Sequence, residues 1–326
     1  MIVDLTQLRG KTMLITGGTG MIGKWMIDYL LANVDCHILV TGRNEEKARA
    51  RLGEKVGFVK WDISHDHLPQ IDEPIDYIIH LASNTHPVAY ASDPVSTIVM
   101  NVNAAKELLD LAVEKKVTRF VYASSVEIYG QNRGDVEKFS EDYCGYIDSN
   151  TLRAGYPESK RCGEALCQAY LKQYDLDVVI PRIARVYGPT LLDSDTKALS
   201  QFLRNAIKCE DIVLKSEGKQ FFSYLHVADA VSGILAVMLK AEKGAAYNIS
   251  DEKSDITLRD LAALIARQVG RKVIFDIPNA AESAGFSPAM LARMDNSKLV
   301  ALGWRAMFDI QSGVSSTLQT LRREHE

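Results

Sequence analysis

The 326-residue chain carries 38 Lys and Arg against 42 Asp and Glu, a formal net charge of −4. That balance gives no electrostatic case for nucleic acid or an anionic membrane surface as partner. Hydrophobic residues at 47% and charged residues at 25% describe a soluble globular chain, long enough for one large lobe and a smaller one.

The first predicted element is the strand TMLIT at 12–16. GGTGMIG follows at 17–23, so Gly17, Gly20 and Gly23 form G-x-x-G-x-x-G between a strand and a helix pattern. Glycines there let the backbone turn tightly and approach a pyrophosphate. The helix behind them offers free amides and the positive end of its dipole. A dinucleotide site is therefore expected. The second strand, 36–41, runs into LVTGRNEEK. Thr41 stands eighteen residues beyond Gly23, where an acid would grip the ribose of NAD. No acid is there; Gly42 leaves room and Arg43 brings charge suited to a 2′-phosphate. The cofactor expected is NAD or NADP, with a slight lean to NADP.

A third strand at 56–60 leads to WDIS, where Asp62 is placed to accept from the adenine amino group. Strand 75–80 (IDYIIH) precedes a helix over 94–114, with Val95, Ile98, Val99, Val102, Leu108, Leu109 and Ala112 at helical spacing. Strand 118–123 and a helix over 157–174 follow, the helix with Cys162, Ala165, Leu166, Ala169 and Tyr170 on one face; strand 176–181 comes next. Beyond about 184 the pattern changes to a helix at 196–209, short strands in VLKSEG and FFSYLH, and a helix at 227–241. The alternation predicts an α/β fold: a Rossmann-type doubly wound parallel sheet with a smaller C-terminal α/β substrate lobe. No apolar run reaches bilayer length, and MIVDLTQLRGKT lacks the pattern of a leader. Five scattered cysteines without C-x-x-C spacing fit reduced thiols. A cytoplasmic protein with no membrane or nucleic-acid partner is expected.

Two stretches carry chemistry. AGYPESKRCGE holds Tyr156 and Lys160, four apart and so on one helix face, with Pro157 in the first turn where its missing amide costs nothing. A phenol with a pKa near 10 is a poor base at neutral pH, but an adjacent ammonium and a cationic nicotinamide both favour the phenolate. YASSVEIYG (122–130) ends a strand with Ser125 and then Glu127, a carboxylate that is costly at a strand mouth without water, a partner or a task. His65 and His67 share a loop with no further convincing ligand, and no metal is expected. His80 is expected to play a structural part at a strand end.

TGGTGMIG (16–23), DI (62–63), HLAS (80–83), NVNAAKEL (101–108), YASSVEIYG, YPESK (156–160), PRIARVYGP (181–189) and HVADA (226–230) occur in the order found in the extended short-chain dehydrogenase/reductases. The chain resembles that family over nearly its whole length. Its local text is most similar to UDP-glucuronate decarboxylases and nucleotide-sugar 4,6-dehydratases. The resemblance implies a discontinuous dinucleotide-binding domain, 1–184 plus about 223–250, and a substrate lobe, about 185–222 plus 251–326. It implies catalytic roles for Ser125, Glu127, Tyr156 and Lys160. It implies cofactor contacts from Gly17, Thr19, Gly20, Met21, Ile22, Gly23, Arg43, Asp62, Ile63, Leu81, Ala82, Ser83 and Ile183, besides Tyr156 and Lys160. Substrate contacts would come from Ser83, His86, Ser125 and Glu127; Arg153 and Arg185, read from the chain's own residues, are the candidates for binding an anionic substrate group. A homodimer through the helices at 94–114 and 157–174 is also implied.

The implied reaction oxidises carbon 4 of a nucleotide-bound sugar, changes carbon 5 beside the ketone, and reduces carbon 4 again with the same cofactor. The alternatives are a nucleotide-sugar 4-epimerase, an NADPH-dependent carbonyl reductase and a non-catalytic dinucleotide-binding protein. Three positions depart from the family pattern. Val126 stands where dehydratases carry an aspartate or hydroxyl and decarboxylases often a serine, so it departs from both patterns. Arg185 replaces an asparagine, and Phe222 replaces an arginine that contacts the diphosphate. Either Arg185 or Arg204 is expected to compensate.

Overall fold

The computed structural model describes residues 3–83, 93–192, 194–277 and 290–325. The strands are β1 Thr12–Thr16, β2 His37–Gly42, β3 Gly57–Lys60, β4 Tyr77–His80, β5 Arg119–Tyr122, β6 Ser124–Ser125 and β7 Val178–Ile183. The later ones are β8 Arg185–Tyr187, β9 Ile212–Leu214, β10 Phe221–His226, β11 Ala246–Ile249, β12 Asp255–Thr257, β13 Val273–Phe275 and β14 Leu291–Ala292. The helices are α1 Met21–Asn33, α2 Glu45–Leu52, α3 Pro94–Lys115, α4 Gly155–Tyr174, α5 Ala198–Ile207 and α6 Val227–Lys240. They end with α7 Leu258–Gln268, α8 Ser297–Ala301 and α9 Ile310–His325.

The period of two along the strands divides the core into two layers. Met13, Ile15, Tyr77, Ile79, Val121 and Val179 face one side of the main sheet with Met26, Ile27, Val231 and Ile234. Leu14, Ile78, Phe120, Tyr122, Val178 and Ile180 face the other with Ala105, Leu108, Leu109 and Cys167. Each fully buried aliphatic side chain contributes roughly 1.5–3 kcal/mol against exposure, so these rows fix strand register strongly. The strands run β3-β2-β1-β4-β5-β7-β11, all parallel, with β6 continuing on β7. The order reverses between β1 and β4, which opens a crevice at their carboxyl ends. A second sheet, β12-β10-β14 with β8 on β10, sets Arg185 beside Tyr224.

Two helices differ from the sequence pattern. The apolar stripe of α3 is buried only in its second half. Val95 is 70%, Ile98 42% and Val99 48% exposed, whereas Leu108, Leu109 and Ala112 are sealed against the sheet. On α4 the predicted stripe also divides: Tyr170 is buried, while Cys162, Ala165 and Ala169 face outward. α6 is apolar on nearly every face, because it packs between the sheet, α1 and the C-terminal segment. Asp229 on that helix accepts from the amides of Met307 (2.8 Å) and Phe308 (3.0 Å), and so pins the segment before α9. No described helix is long and apolar enough to cross a membrane.

A buried polar network ties α4 and the 3-10 turn Val126–Tyr129 to β6, β7 and β11 of the main sheet. Glu164 on α4 receives Arg182 of β7 through Nη2 (2.7 Å) and Nε (3.0 Å), and Ser124 Oγ at 2.5 Å. Arg182 Nη1 donates to Tyr129 Oη (3.0 Å), which donates to Asn248 of β11 (2.7 Å). The pair is 12% and 13% exposed. Removing one member leaves a charge with little solvent, a loss of about 3 kcal/mol. Glu164→Gln is expected to lower the melting temperature by several degrees; an unchanged melt would show that the network carries no stability.

Candidate active site

The glycine loop lies at the carboxyl end of β1. Gly17 has φ +71°, and a Cβ there would sit 2.8 Å from the Ala82 amide nitrogen. A Cβ on Gly23 would sit 2.3 Å from the Gly17 carbonyl oxygen. Side chains are excluded at both positions, and the backbone is left bare. Gly20 precedes α1 without any side-chain cap, so the first-turn amides of Met21, Ile22 and Gly23 face the crevice for an anion. Thr19 is half-buried in the same turn, Ile22 packs on the core, and the Met21 carbonyl accepts from Thr190 Oγ1 at 2.9 Å. This cradle fits the pyrophosphate of a dinucleotide.

The segment after β4 is tied to the same loop. Thr16 Oγ1 and His80 Nδ1 share a hydrogen bond of 2.8 Å, and the Ala82 amide donates to Thr16 Oγ1 at 3.1 Å. Burial, then the charge of Lys160, pushes His80 down to about 3, so the ring is neutral and braces Leu81, Ala82 and Ser83. Further out, Arg43 is exposed beyond β2. The Asp62 carboxylate accepts from the Ser64 amide (3.1 Å) and faces His65 (3.4 Å), so it closes its own turn. Ile63 is half-buried in the second core layer. His67 pairs instead with Glu107 at 2.8 Å, and no three-ligand metal cluster is found among the described residues.

Ser125 ends β6 in register with Ile183 of β7. Its Oγ caps the 3-10 turn Val126–Tyr129 by accepting from the Glu127 amide at 3.2 Å. Tyr156 sits in the first turn of α4, which begins at Gly155, two residues earlier than the periodicity places it. Pro157 is the third residue of that helix, still among the amides that need no partner. The phenol hydroxyl shares hydrogen bonds with the side chains of Ser125 and Ser83. Burial pushes it up to about 12; the two serines oppose that shift and the charge of Glu127 adds to it.

Asn101 is a site residue that the sequence reading missed. On α3, it receives Ser83 Oγ at 2.8 Å and donates to Ser159 Oγ at 2.9 Å, which in turn donates to the Tyr156 carbonyl at 2.8 Å. A single amide therefore couples the loop, α3 and α4 around the phenol. Its only trace in the sequence is the polar interruption NVNAAKEL.

Lys160 lies one turn along α4 and is 3% exposed. Nζ donates to the Ala123 carbonyl at 2.9 Å and lies 5.0 Å from the centre of the Tyr122 ring. Burial pulls its pKa down to about 8, with the charge of Glu164 opposing. The unfolded chain therefore binds more protons than the folded one between about 8 and the ordinary lysine value, and stability rises with pH across that window. Lys160→Met is expected to melt at or above the parent at pH 7, with the gap closing towards pH 10. A variant less stable at pH 7, with no change in the gap, would contradict this.

Glu127 has a partner. Its Oε1 accepts from Arg185 Nη2 at 3.1 Å, and the Arg185 guanidinium carbon lies over the Phe222 ring, 3.7 Å from its centre. Arg204 is committed elsewhere, donating to the carbonyls of Leu192 and Asp195 in its own loop. Of the two arginines, only Arg185 reaches Phe222. Arg153 is half-buried on the 3-10 turn Leu152–Ala154 that leads into α4. Val126 is buried and apolar. His86 lies outside the described residues.

Residues 13–250 match the model of the NAD dependent epimerase/dehydratase family. The chain belongs to this family. It is accordingly an NAD-dependent enzyme. Among curated relatives it is 30% identical over 325 residues to UDP-glucuronic acid decarboxylase 1 of Xenopus tropicalis, covering 99% of this chain and 75% of that protein. The same enzyme of Danio rerio is 30% identical over 327 residues, with the same coverage. Among solved structures, the UDP-glucose 4-epimerase of Thermotoga maritima superposes with a TM-score of 0.83 at 21% identity, covering 97% of this chain and all of that one. The dTDP-glucose 4,6-dehydratase of Bacillus anthracis superposes with 0.78 at 22% identity, covering 97% and 98%. At those identities the structural likeness establishes the shared Rossmann-type fold.

Proposed function

We propose that the protein modifies a nucleotide-activated sugar through a transient 4-keto intermediate, with decarboxylation of a UDP-bound uronic acid as its reaction. The observation that carries this is the Tyr156 hydroxyl, tied to Ser125 and Ser83 and acted on by Glu127, above a glycine cradle. The full-length similarity to UDP-glucuronic acid decarboxylases supports the choice of substrate. Val126 does not separate the two reactions, because a buried valine donates neither to a leaving hydroxyl nor in place of the serine common in decarboxylases.

NAD supplies a hydride acceptor and, later, a hydride donor at carbon 4. Gly17, Thr19, Gly20, Met21, Ile22 and Gly23 would hold its pyrophosphate, Asp62 and Ile63 would meet the adenine, and Leu81, Ala82, Ser83 and Ile183 would contact the rest of it. The exposed Arg43 also allows a 2′-phosphate. Tyr156 takes the proton from the sugar's 4-hydroxyl and later returns it, with Ser125 and Ser83 fixing its oxygen. Lys160 supports the phenolate electrostatically. Glu127 governs proton traffic at carbon 5, where the ketone labilises a carboxylate. Arg153 is positioned to meet an anionic part of the substrate.

The exposed Val95, Ile98 and Val99 on α3 support a homodimer through α3 and α4, and the five free cysteines support a cytoplasmic location. Incubation with NAD and separate UDP-glucuronic acid, UDP-glucose and dTDP-glucose, read by mass spectrometry, tests the reaction. Loss of carbon dioxide from UDP-glucuronic acid is expected. Loss of water, an unchanged mass with inverted carbon 4, or stoichiometric consumption of reduced dinucleotide would each replace this reading.

A further inference from the structure

We infer that Arg185 is a bridging guanidinium: one face holds Glu127, and the other binds a carboxylate on the sugar of the substrate. This rests on the nucleotide-sugar reading above and assigns the group that recognises the acidic sugar.

Three observations meet at this side chain. Nη2 donates to Glu127 Oε1 at 3.1 Å, so the guanidinium stands beside the carboxylate whose charge acts on Tyr156. Phe222 lies under it at 3.7 Å and fixes its plane, and Tyr224 is its registered neighbour on β10. The side chain is 21% exposed, and its Nη1 has no hydrogen-bond partner among the described residues. A buried guanidinium N–H left without an acceptor is costly, and native proteins supply one. The planar fork of arginine fits an oxyanion better than any neutral acceptor.

The position decides which oxyanion. Glu127 lies near the phenol that meets carbon 4, so Arg185 stands at the reacting end of the sugar and not at the diphosphate. The pair also solves a charge problem. A substrate carboxylate next to Glu127 would repel it; a guanidinium shared between the two offsets that repulsion and keeps both in place. β10 offers a phenyl ring as a platform, and the charge arrives from β8 instead. A lysine at 185 would keep the charge but lose both the stack and the fork.

The test is calorimetric titration of the NAD-loaded protein with UDP, UDP-glucose and UDP-glucuronic acid, all in a Tyr156→Phe background so that no turnover occurs. Arg185→Gln is expected to weaken UDP-glucuronic acid about 30-fold, and to leave UDP and UDP-glucose within about threefold. Phe222→Leu, which keeps the charge and removes the platform, is expected to weaken the same ligand alone by about fivefold. NAD affinity within about threefold of the parent shows that each variant is folded; if Arg185→Gln fails that check, Phe222→Leu and Arg185→Lys decide by the same selectivity. Equal weakening of all three ligands overturns the assignment by moving Arg185 to the diphosphate. No weakening of UDP-glucuronic acid overturns it outright. If the Tyr156→Phe protein with Arg185 intact binds none of the three, the nucleotide-sugar reading itself fails, and that is seen before any substitution at 185.

Discussion

Tyr156→Phe is expected to lower turnover by about 10³-fold while leaving NAD affinity within about threefold. The phenol is 5% exposed and hydrogen-bonds two serines that keep other partners when it is gone, Asn101 for Ser83 and the Glu127 amide for Ser125. The fold should therefore survive, and the melting temperature should move by only a few degrees. Alone in the protein, the phenol is pushed up to about 12, so it holds its proton near neutral pH. Reaching pH 7 means about five pKa units, roughly 7 kcal/mol. One full positive charge about 4 Å away contributes roughly 4 kcal/mol at an effective dielectric near 20. Two cations are thus needed. A bound nicotinamide ring would be one, and in the proposed mechanism Lys160, one turn along the same helix, is the other. Product formation and a fluorescence titration with NAD measure the two halves of this expectation; turnover equal to the parent would remove Tyr156 from the mechanism.

Glu127→Gln is expected to stop the reaction half-way. Oxidation at carbon 4 should still occur, because it uses Tyr156, Ser125 and the dinucleotide. Chemistry at carbon 5 should slow by about 10²–10³-fold. Glutamine keeps an oxygen for the Arg185 Nη2 contact, so the local geometry is preserved while the proton-accepting group is lost. Rapid-quench analysis should find a 4-keto sugar accumulating on the protein. A decarboxylation rate unchanged from the parent would reduce Glu127 to a partner for Arg185.

The parts of this molecule that show in its sequence are those built from neighbours along the chain. β1, the glycine turn and α1 follow one another within 12–33, and each has a local signature: an apolar run, spaced glycines, a helical period. Tyr156 and Lys160 are read as a pair because a helix alone brings them together. The Glu127–Arg185–Phe222 cluster has no such signature. Fifty-eight residues separate the ion pair, and its assembly depends on β8 lying beside β10. The sequence marks 185 and 222 as unusual but gives no reason to stack one on the other. Glu164 and Arg182 have no local signature of pairing in KRCGEAL and PRIAR; the ion pair forms only where α4 is laid against β7. On α3, the apolar period is genuine, yet nothing in it tells which half meets the sheet and which half is left for another surface.

Isotope retention tests the central claim most directly. The claim is that one phenol serves both an oxidation and a reduction at the same carbon within a single occupancy of the site. UDP-glucuronic acid deuterated at carbon 4 should be converted by the NAD-loaded protein to a product lacking carbon dioxide and still carrying its deuterium at carbon 4, with no net reduced dinucleotide formed. Deuterium lost to solvent, or reduced dinucleotide accumulating in step with sugar consumed, would contradict it.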